Sequence, residues 1–370
     1  MPVAQSPALV SINLFLLVML YMLMRNVKSF PYRANPLAKN VSIVLSILFV
    51  LFSFWGSDWF HYLELYPNLH SGEKGHMEDV YVFIAQNLSI GYVSFRFFIW
   101  GTGILLYCFL VKRLSVNTDL ALFFFLSIWL IWFSYARVSL AMIVIYLGGM
   151  LIYKPLNKKF ISYISGIALI WLSIYLHKTA SFAIIVVVLS SIFGLLPKKL
   201  FALIVPLFLT IVPFLISTFL MDFMTIDSFT GGVFDLSIEY GQNYLDAETE
   251  DMGLAPLIQR ILEMTPYYML ALVSYMSLLR YNIAKDVAIY MKILIIIVII
   301  ASLFSLDYGL NTSVLYVRFM RFAFIPSAIV LTYIWSNNIY KKTARYIYYI
   351  ALSGTFYSVA YSLYCSSVGN

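Results

Sequence analysis

Apolar runs and short connections alternate along this chain, and most of its 24 Lys and Arg residues lie in every second connection. The runs cover residues 8–24, 41–56, 93–111, 119–135, 137–153, 161–176, 179–196, 200–221, 264–280, 286–303, 317–335 and 346–363. The basic connections contain Arg25, Lys28, Arg33, Lys39, Lys112, Arg113, Lys154, Lys158, Lys159, Lys198, Lys199, Arg280, Lys285, Lys341, Lys342 and Arg345, with only Asp119 and Asp286 as acidic residues. Most runs approach the roughly 20 residues that span a bilayer, and short basic loops stay in the cytoplasm. The pattern predicts an all-α polytopic membrane protein with about 12 transmembrane helices and both termini outside.

The composition supports insertion into a lipid bilayer and gives no reason to expect nucleic-acid binding. Hydrophobic residues make up 62% of the chain and charged residues 11%, which leaves too little polar surface to cover a soluble globule. The net charge of +7 is explained by cations held at the anionic cytoplasmic leaflet. No fixed repeat divides the sequence, so we expect residues 1–370 to form a single transmembrane domain.

Two connections on the outer side, residues 57–92 and 222–263, are long enough to hold structure. The second is acidic, as expected for a solvated loop, and its cluster at residues 246–251 (DAETED) is only suggestive of calcium ligands. In the first, His61, His70 and His76 are spaced too widely for a typical zinc site. We therefore expect no metal in either outer segment.

A small set of cations breaks the charge pattern, because it lies at the outer ends of the apolar runs. Apart from Lys74 in mid-loop, these residues are Arg96, Arg137, Lys178, Arg260, Arg318 and Arg321. Snorkelling to lipid headgroups explains any one of them, but a cation among apolar neighbours is costly unless it is paired, hydrated or facing a cavity. Arginine presents a rigid fork of donors that matches phosphate oxygens. The group is therefore interpreted as a site for a lipid-linked diphosphate whose tail lies between helices.

Few residues on the outer side are suited to remove a proton from an attacking hydroxyl group. His177 precedes Lys178 at a helix start, and neutral histidine accepts protons near pH 7. Asp58 follows the second run, four residues before Tyr62, and a helix cap is its alternative role. The sequence leaves open whether His177 or Asp58 is the base. No glycine-rich phosphate loop occurs, so no nucleotide cofactor is expected.

Four short motifs follow one another along the chain. Residues 56–62 (GSDWFHY) fit a G-x-D-x-x-x-Y stretch, and residues 137–141 (RVSLA) fit an R-x-x-L-A helix start. Residues 176–180 (LHKTA) resemble an F-H-K-S-A element in which Leu and Thr replace Phe and Ser, and residues 318–326 (RFMRFAFIP) resemble a late arginine-bearing helix. In this order, the motifs resemble those of EpsG-like and Wzy-like bacterial polysaccharide polymerases. Arg96 and Arg260 match no motif of that family.

The resemblance implies a glycosyltransferase of the all-helical C-type membrane architecture. Such an enzyme polymerises undecaprenyl diphosphate-linked repeat units of O-antigen, capsule or exopolysaccharide at the outer face of the bacterial inner membrane. By this resemblance Arg137, Arg318 and Arg321 hold the diphosphate, and His177 or Asp58 acts at the acceptor hydroxyl. Control of chain length implies a partner protein, which the sequence does not identify.

Two other classes of membrane protein share some of these features. A flippase for the same lipid-linked sugars is expected to carry ionisable groups near the bilayer midplane, often in two related halves. This sequence has almost no charge at mid-depth and no evident halves. A membrane acyltransferase shares an essential histidine, but it normally takes its donor from the cytoplasmic side, whereas the candidate residues here lie on the outer side.

Overall fold

The structure is a computed structural model that describes residues 57–73, 77–128, 136–177, 180, 183–184, 187–188, 192, 196–197, 199–205, 254–306 and 320–368. Side chains are described at these positions except at 57–61, 119, 123, 126–128, 136, 254–257, 259–260, 303–306, 358–359 and 361–368. The first two apolar runs and most of the acidic outer segment therefore lie outside the described residues. The chain divides into two compact units, residues 1–184 with 331–370, and residues 185–330.

Helices make up the regular structure of the described residues, and no strand occurs among them. They are α1 (Ser57–Ser71), α2 (Asp79–Asn87), α3 (Tyr92–Lys112), α4 (Thr118–Ile128), α5 (Ala136–Tyr153), α6 (Lys159–Leu176), α7 (Leu254–Arg280), α8 (Lys285–Leu306), α9 (Phe324–Ser336) and α10 (Lys341–Val368). The prediction of an all-α protein is confirmed for this part of the chain.

The helix bounds follow the apolar runs closely in some places and depart from them in others. Helices α3 and α5 begin and end within one residue of the predicted runs. Helix α7 begins at Leu254, well before the predicted start at 264. Its first turns carry Gln259, Arg260 and Glu263, and these polar residues interrupt the hydrophobicity without breaking the helix. The end of the acidic outer segment is therefore helical.

Two of the described helices are long and apolar enough to cross a membrane by length and composition, namely α3 and α6. Residues Arg137–Tyr153 of α5 and the helix α9 are apolar but shorter. Such helices are typical of a membrane protein. Much of the apolar surface of α6 does not pack against the rest of the first unit, since Phe160, Ile167 and Trp171 are exposed.

Helices α5 and α6 approach each other so closely that two glycines form the contact. A Cβ atom built on Gly148 would lie 2.6 Å from the carbonyl oxygen of Gly166, and one built on Gly166 would lie 2.7 Å from that of Gly148. Contacts this short leave no space for any side chain at either position. Small residues are a common way for membrane helices to bring their backbones together.

Helices α3 and α5 run parallel, and their C-terminal ends cap each other. A Cβ atom on Gly103 of α3 would lie 3.5 Å from Cδ1 of Ile143 in α5. At the ends, Arg113 donates from Nη2 to the carbonyl of Lys154 (2.5 Å), and Lys154 donates from Nζ to the carbonyl of Arg113 (2.9 Å). Each α3 residue is therefore level with the α5 residue about forty positions later. This register places Arg96 level with the first turn of α5.

Aromatic residues fill the space between α3, α4, α10 and the end of α9 in the first unit. The rings of Tyr107 and Phe125 stack with centroids 3.8 Å apart. Phe124, Trp335 and Tyr348 form a triangle of edge-to-face contacts with centroids 5.5 to 5.7 Å apart. Such contacts add specific geometry to the burial of a large apolar area.

In the second unit, a lysine of α8 contacts residues that precede α7 in the sequence. Lys292 is buried, and its Nζ donates to the carbonyl of Leu196 at 2.8 Å and lies 5.4 Å from the ring centroid of Phe201. Helices α7 and α8 are joined by Tyr268 and Ser302, whose hydroxyl oxygens are 2.8 Å apart.

Candidate functional site

Arg137 lies in the first turn of α5 and is held by side chains from two other elements. Its Nε donates to the hydroxyl oxygen of Tyr62 in α1 at 2.8 Å. Its Nη1 donates to Oε2 of Glu78, the N-cap of α2, at 2.9 Å. The guanidinium carbon also lies 5.3 Å from the ring centroid of Tyr62. We call Tyr62, Glu78, Tyr81 and Arg137 the Arg137 cluster.

The ion pair in this cluster is largely shielded from solvent. The side chains of Arg137 and Glu78 are 19% and 10% exposed, and Tyr62 is 2% exposed. Electrostatic interactions are stronger where water is excluded, because the effective dielectric constant is lower. An arginine at such a place needs a partner, since burying an unpaired charge costs several kcal/mol, on the order of 3–5. Glu78 supplies the opposite charge.

Tyr81 connects the cluster to the end of α6. The side chain is fully buried, and its hydroxyl donates to the carbonyl of Leu176 at 2.9 Å. Burial raises the pKa of the Tyr81 phenol well above its ordinary value, and the nearby Glu78 carboxylate raises it further. Tyr81 therefore remains protonated and acts as a donor. It satisfies one of the carbonyls that a helix leaves open at its C-terminal end.

His177 directly follows the carbonyl that Tyr81 binds. It is the C-cap of α6, with an extended backbone at φ −163° and ψ 129°. Its N–H donates to the carbonyl of Ser173 at 3.0 Å, and its own carbonyl accepts from the N–H of Ala180 at 2.9 Å. The backbone of His177 is thus fixed at the same end of the first unit as the Arg137 cluster. Lys178, the next residue, lies outside the described residues.

Arg96 is also placed near this end of the unit, within α3. Its side chain is 3% exposed, and its guanidinium carbon lies 4.8 Å from a ring centroid of Trp100, one turn later. A guanidinium over the face of an indole is a favourable cation–π contact. The snorkelling alternative predicts a cation extended toward the membrane surface, whereas Arg96 packs inward.

The other predicted site residues fall into two groups. Asp58 belongs to α1, as Tyr62 does, and Arg260 belongs to α7, but the side chains of Asp58 and Arg260 are not among those described. Arg318 lies outside the described residues, and Arg321 is half-buried in the second unit. The structure therefore brings together Tyr62 and Arg137 by direct contact and places His177 beside a carbonyl bound by Tyr81.

Glu78 is the site residue that the sequence analysis missed. Its spacing from Tyr62 and Arg137 follows no helical or strand period, so no pattern in the sequence joins the three. Glutamate is also not among the residues that mark a helix N-cap in a sequence, although Glu78 occupies that position in α2.

His70 is the one histidine of the first outer segment whose side chain the structure describes, and protein groups hold its ring. His70 is bound through Nδ1 to the carbonyl of Ala85 at 2.8 Å, and its ring stacks on Tyr66 with centroids 5.8 Å apart. The side chains of His61 and His76 are not described. Among the residues that are, no three His, Cys, Asp or Glu side chains are grouped closely enough to hold a metal ion.

Comparison with known proteins identifies a family that covers almost the whole chain. The model of the EpsG family matches residues 37–368. No curated protein and no solved structure matches the chain.

Proposed function

The chain belongs to the EpsG family, and from this premise we propose that it polymerises undecaprenyl diphosphate-linked oligosaccharide units. The family supports a polysaccharide polymerase of the glycosyltransferase type. The family match over residues 37–368 is the observation that carries the proposal. The charge alternation supports about 12 transmembrane helices with an active face outside the inner membrane, and the family resemblance implies the C-type glycosyltransferase architecture.

The reaction transfers the growing glycan from its lipid carrier to a new lipid-linked unit. A hydroxyl of the acceptor sugar attacks the anomeric carbon of the donor, and the bond from that carbon to the diphosphate oxygen breaks. Undecaprenyl diphosphate leaves with the electron pair, and the acceptor proton passes to a base. No nucleotide or other cofactor is needed, since the energy is already stored in the bond to the diphosphate.

Each predicted site residue has a role in this reaction. Arg137 stabilises the negative charge that develops on the departing diphosphate, which is the usual work of a pre-oriented guanidinium. Tyr62 directs Arg137 through the hydrogen bond to Nε. His177 or Asp58 accepts the proton. The remaining cations bind other oxygens of the diphosphates: Arg96, Lys178, Arg260, Arg318 and Arg321.

The experiment compares chromosomal Arg137→Ala and His177→Ala alleles with the wild type, and the surface glycan is resolved on a gel. The expected result is loss of long chains while single repeat units are still exported. Arg280→Ala is a matched control, because Arg280 is an exposed arginine at the far end of α7, and it should leave chain length unchanged. Loss of all export, including single units, would favour a flippase of lipid-linked oligosaccharides instead.

The polymer is an O-antigen, a capsule or an exopolysaccharide, and control of its length implies a second protein. We include a chain-length regulator among the proposed partners, beside the lipid-linked units and the bilayer. Purification of the chain from its native membrane with a mild detergent should retain that regulator.

A further inference from the structure

Glu78 is the partner of Arg137 that the sequence did not indicate. We infer that Glu78 occupies Arg137 in the substrate-free protein and is displaced from it by the diphosphate of the donor. The inference rests on the proposed function, because it requires that Arg137 bind a diphosphate.

Glu78 and a phosphate would bind at the same nitrogen of Arg137. The terminal edge of an arginine fork consists of its two Nη atoms, which together bind a carboxylate or a phosphate. Glu78 already holds Nη1 at 2.9 Å, and Tyr62 holds Nε at 2.8 Å. A phosphate that binds the terminal edge with two hydrogen bonds therefore approaches the same nitrogen that Glu78 holds and competes with the carboxylate for it.

Glu78 and the diphosphate also carry charge of the same sign. A carboxylate that stays on Arg137 would lie within a few ångströms of the incoming diphosphate, and like charges in a site of low dielectric repel strongly. The side chains of Arg137 and Glu78 are only 19% and 10% exposed, so solvent does not remove this repulsion. Displacement of Glu78 separates the two anions and leaves the guanidinium to the stronger one.

The position of Glu78 allows its side chain to move. It is the N-cap of α2, with an extended backbone at φ −72° and ψ 147°, and its side chain makes no capping hydrogen bond to that helix. Its side chain can therefore leave Arg137 without uncapping α2. Tyr62 lies on a different helix and is 2% exposed, so it continues to orient Arg137 when Glu78 departs.

The test measures binding of inorganic diphosphate and of undecaprenyl diphosphate to the purified full-length protein in detergent. Glu78→Gln keeps the size of the side chain but removes its charge, and we expect its Kd for both ligands to fall by about tenfold. Glu78→Asp keeps the charge on a shorter side chain, so its Kd should lie between that of the wild type and that of Glu78→Gln. Glu64→Gln is the control, because Glu64 is an exposed carboxylate on α1 and its loss should change Kd little.

The outcomes separate this inference from the proposed function. If Arg137→Ala abolishes binding but Glu78→Gln binds no more tightly than the wild type, Glu78 does not compete and the inference is wrong while the proposed site stands. If Arg137→Ala binds both ligands as well as the wild type, the diphosphate site itself is misplaced and the inference is lost with it. A monodisperse elution profile for each variant shows that the protein is folded. A higher Kd for folded Glu78→Gln than for the wild type therefore also counts against the inference.

Discussion

Tyr62 holds Arg137 from one side while Glu78 holds it from the other, so the direction of the guanidinium is set before any ligand arrives. Preorientation matters for catalysis because the groups that stabilise a transition state need not reorganise during the reaction. The hydrogen bond from Nε fixes the plane of the fork, and the ring of Tyr62 supports it at 5.3 Å. The Tyr62 hydroxyl is therefore a small group with a measurable effect.

Replacement of Tyr62 by Phe removes the hydroxyl and keeps the ring. A hydrogen bond to a charged group is worth roughly 1.5–3 kcal/mol, so we expect polymerisation of purified lipid-linked units to slow by about tenfold or more. Tyr66→Phe is the matched control on the same helix, since its hydroxyl lies 3.0 Å from Oγ of Ser89 and not on Arg137. Equal activity of Tyr62→Phe and the wild type would contradict the role given to this hydroxyl.

Replacement of Tyr81 by Phe tests whether the end of α6 must be held for His177 to act. The carbonyl of Leu176 would lose its donor, which costs about 1 kcal/mol in stability, and the backbone before His177 would be less constrained. We expect kcat to fall by about fivefold with little change in the KM for the donor. Tyr107→Phe is the control, because Tyr107 is also fully buried and donates to the carbonyl of Ala121 at a longer distance of 3.4 Å. An unchanged kcat in Tyr81→Phe would show that the reaction does not depend on this hydrogen bond.

The sequence indicated Arg137, Tyr62 and His177 partly from the chemistry of their side chains and partly from family motifs. An arginine at the outer end of an apolar run is unusual enough to notice, and the family motifs named the other two. The sequence did not indicate Glu78 as a site residue, because acidic residues are expected in outer loops. Only the folding of α2 against α1 and α5 brings its carboxylate to Arg137, and no local pattern encodes that contact.

Among the elements, the packing of α5 on α6 depends on the absence of side chains at Gly148 and Gly166. The backbone carbonyl of each glycine fills the place where the other would carry a Cβ atom. Because backbone atoms cannot rotate away as a side chain can, any larger residue must push the helices apart. The neighbouring Gly149 is different, since a Cβ atom there would meet no atom within 4 Å.

A Gly148→Ala protein should therefore unfold at a lower temperature in detergent than a Gly149→Ala protein. Overpacking of this kind typically costs about 1–3 kcal/mol, whereas alanine at an open helical position is neutral or stabilises by up to about 1 kcal/mol. Thermal unfolding monitored by loss of monodisperse protein compares the two variants directly. Equal melting temperatures would show that α5 and α6 have space to adjust.

Hydrophobicity alone predicted α3 and α5 to within one residue, because their apolar runs end abruptly at charged or polar residues. It failed at the start of α7, where polar residues belong to the helix itself. It also gave no structure for residues 57–92, which form α1 and α2. These helices are stabilised by contacts with the rest of the unit, such as the bond from Tyr81 to Leu176, and contacts between distant segments have no signature in a window of residues.

For the whole molecule, the charge pattern predicts that residues 57–92 lie outside the cell membrane and that the basic connections lie inside. A protein whose Cys108 and Cys365 are replaced by Ser can carry a single new thiol at an exposed position. We expect Glu73→Cys to react with a membrane-impermeant maleimide in intact spheroplasts, and Lys158→Cys to react only after lysis. Labelling of Lys158→Cys in intact spheroplasts would reverse the proposed orientation.

In the proposed function, the glycine contact between α5 and α6 also restricts how an isoprenoid tail approaches Arg137. Where the two backbones touch, no gap opens for a hydrocarbon chain to slide through from the surrounding lipid. At the level of Gly148 and Gly166, about three turns along α5 from Arg137, such a tail would therefore have to lie along a different flank of α5.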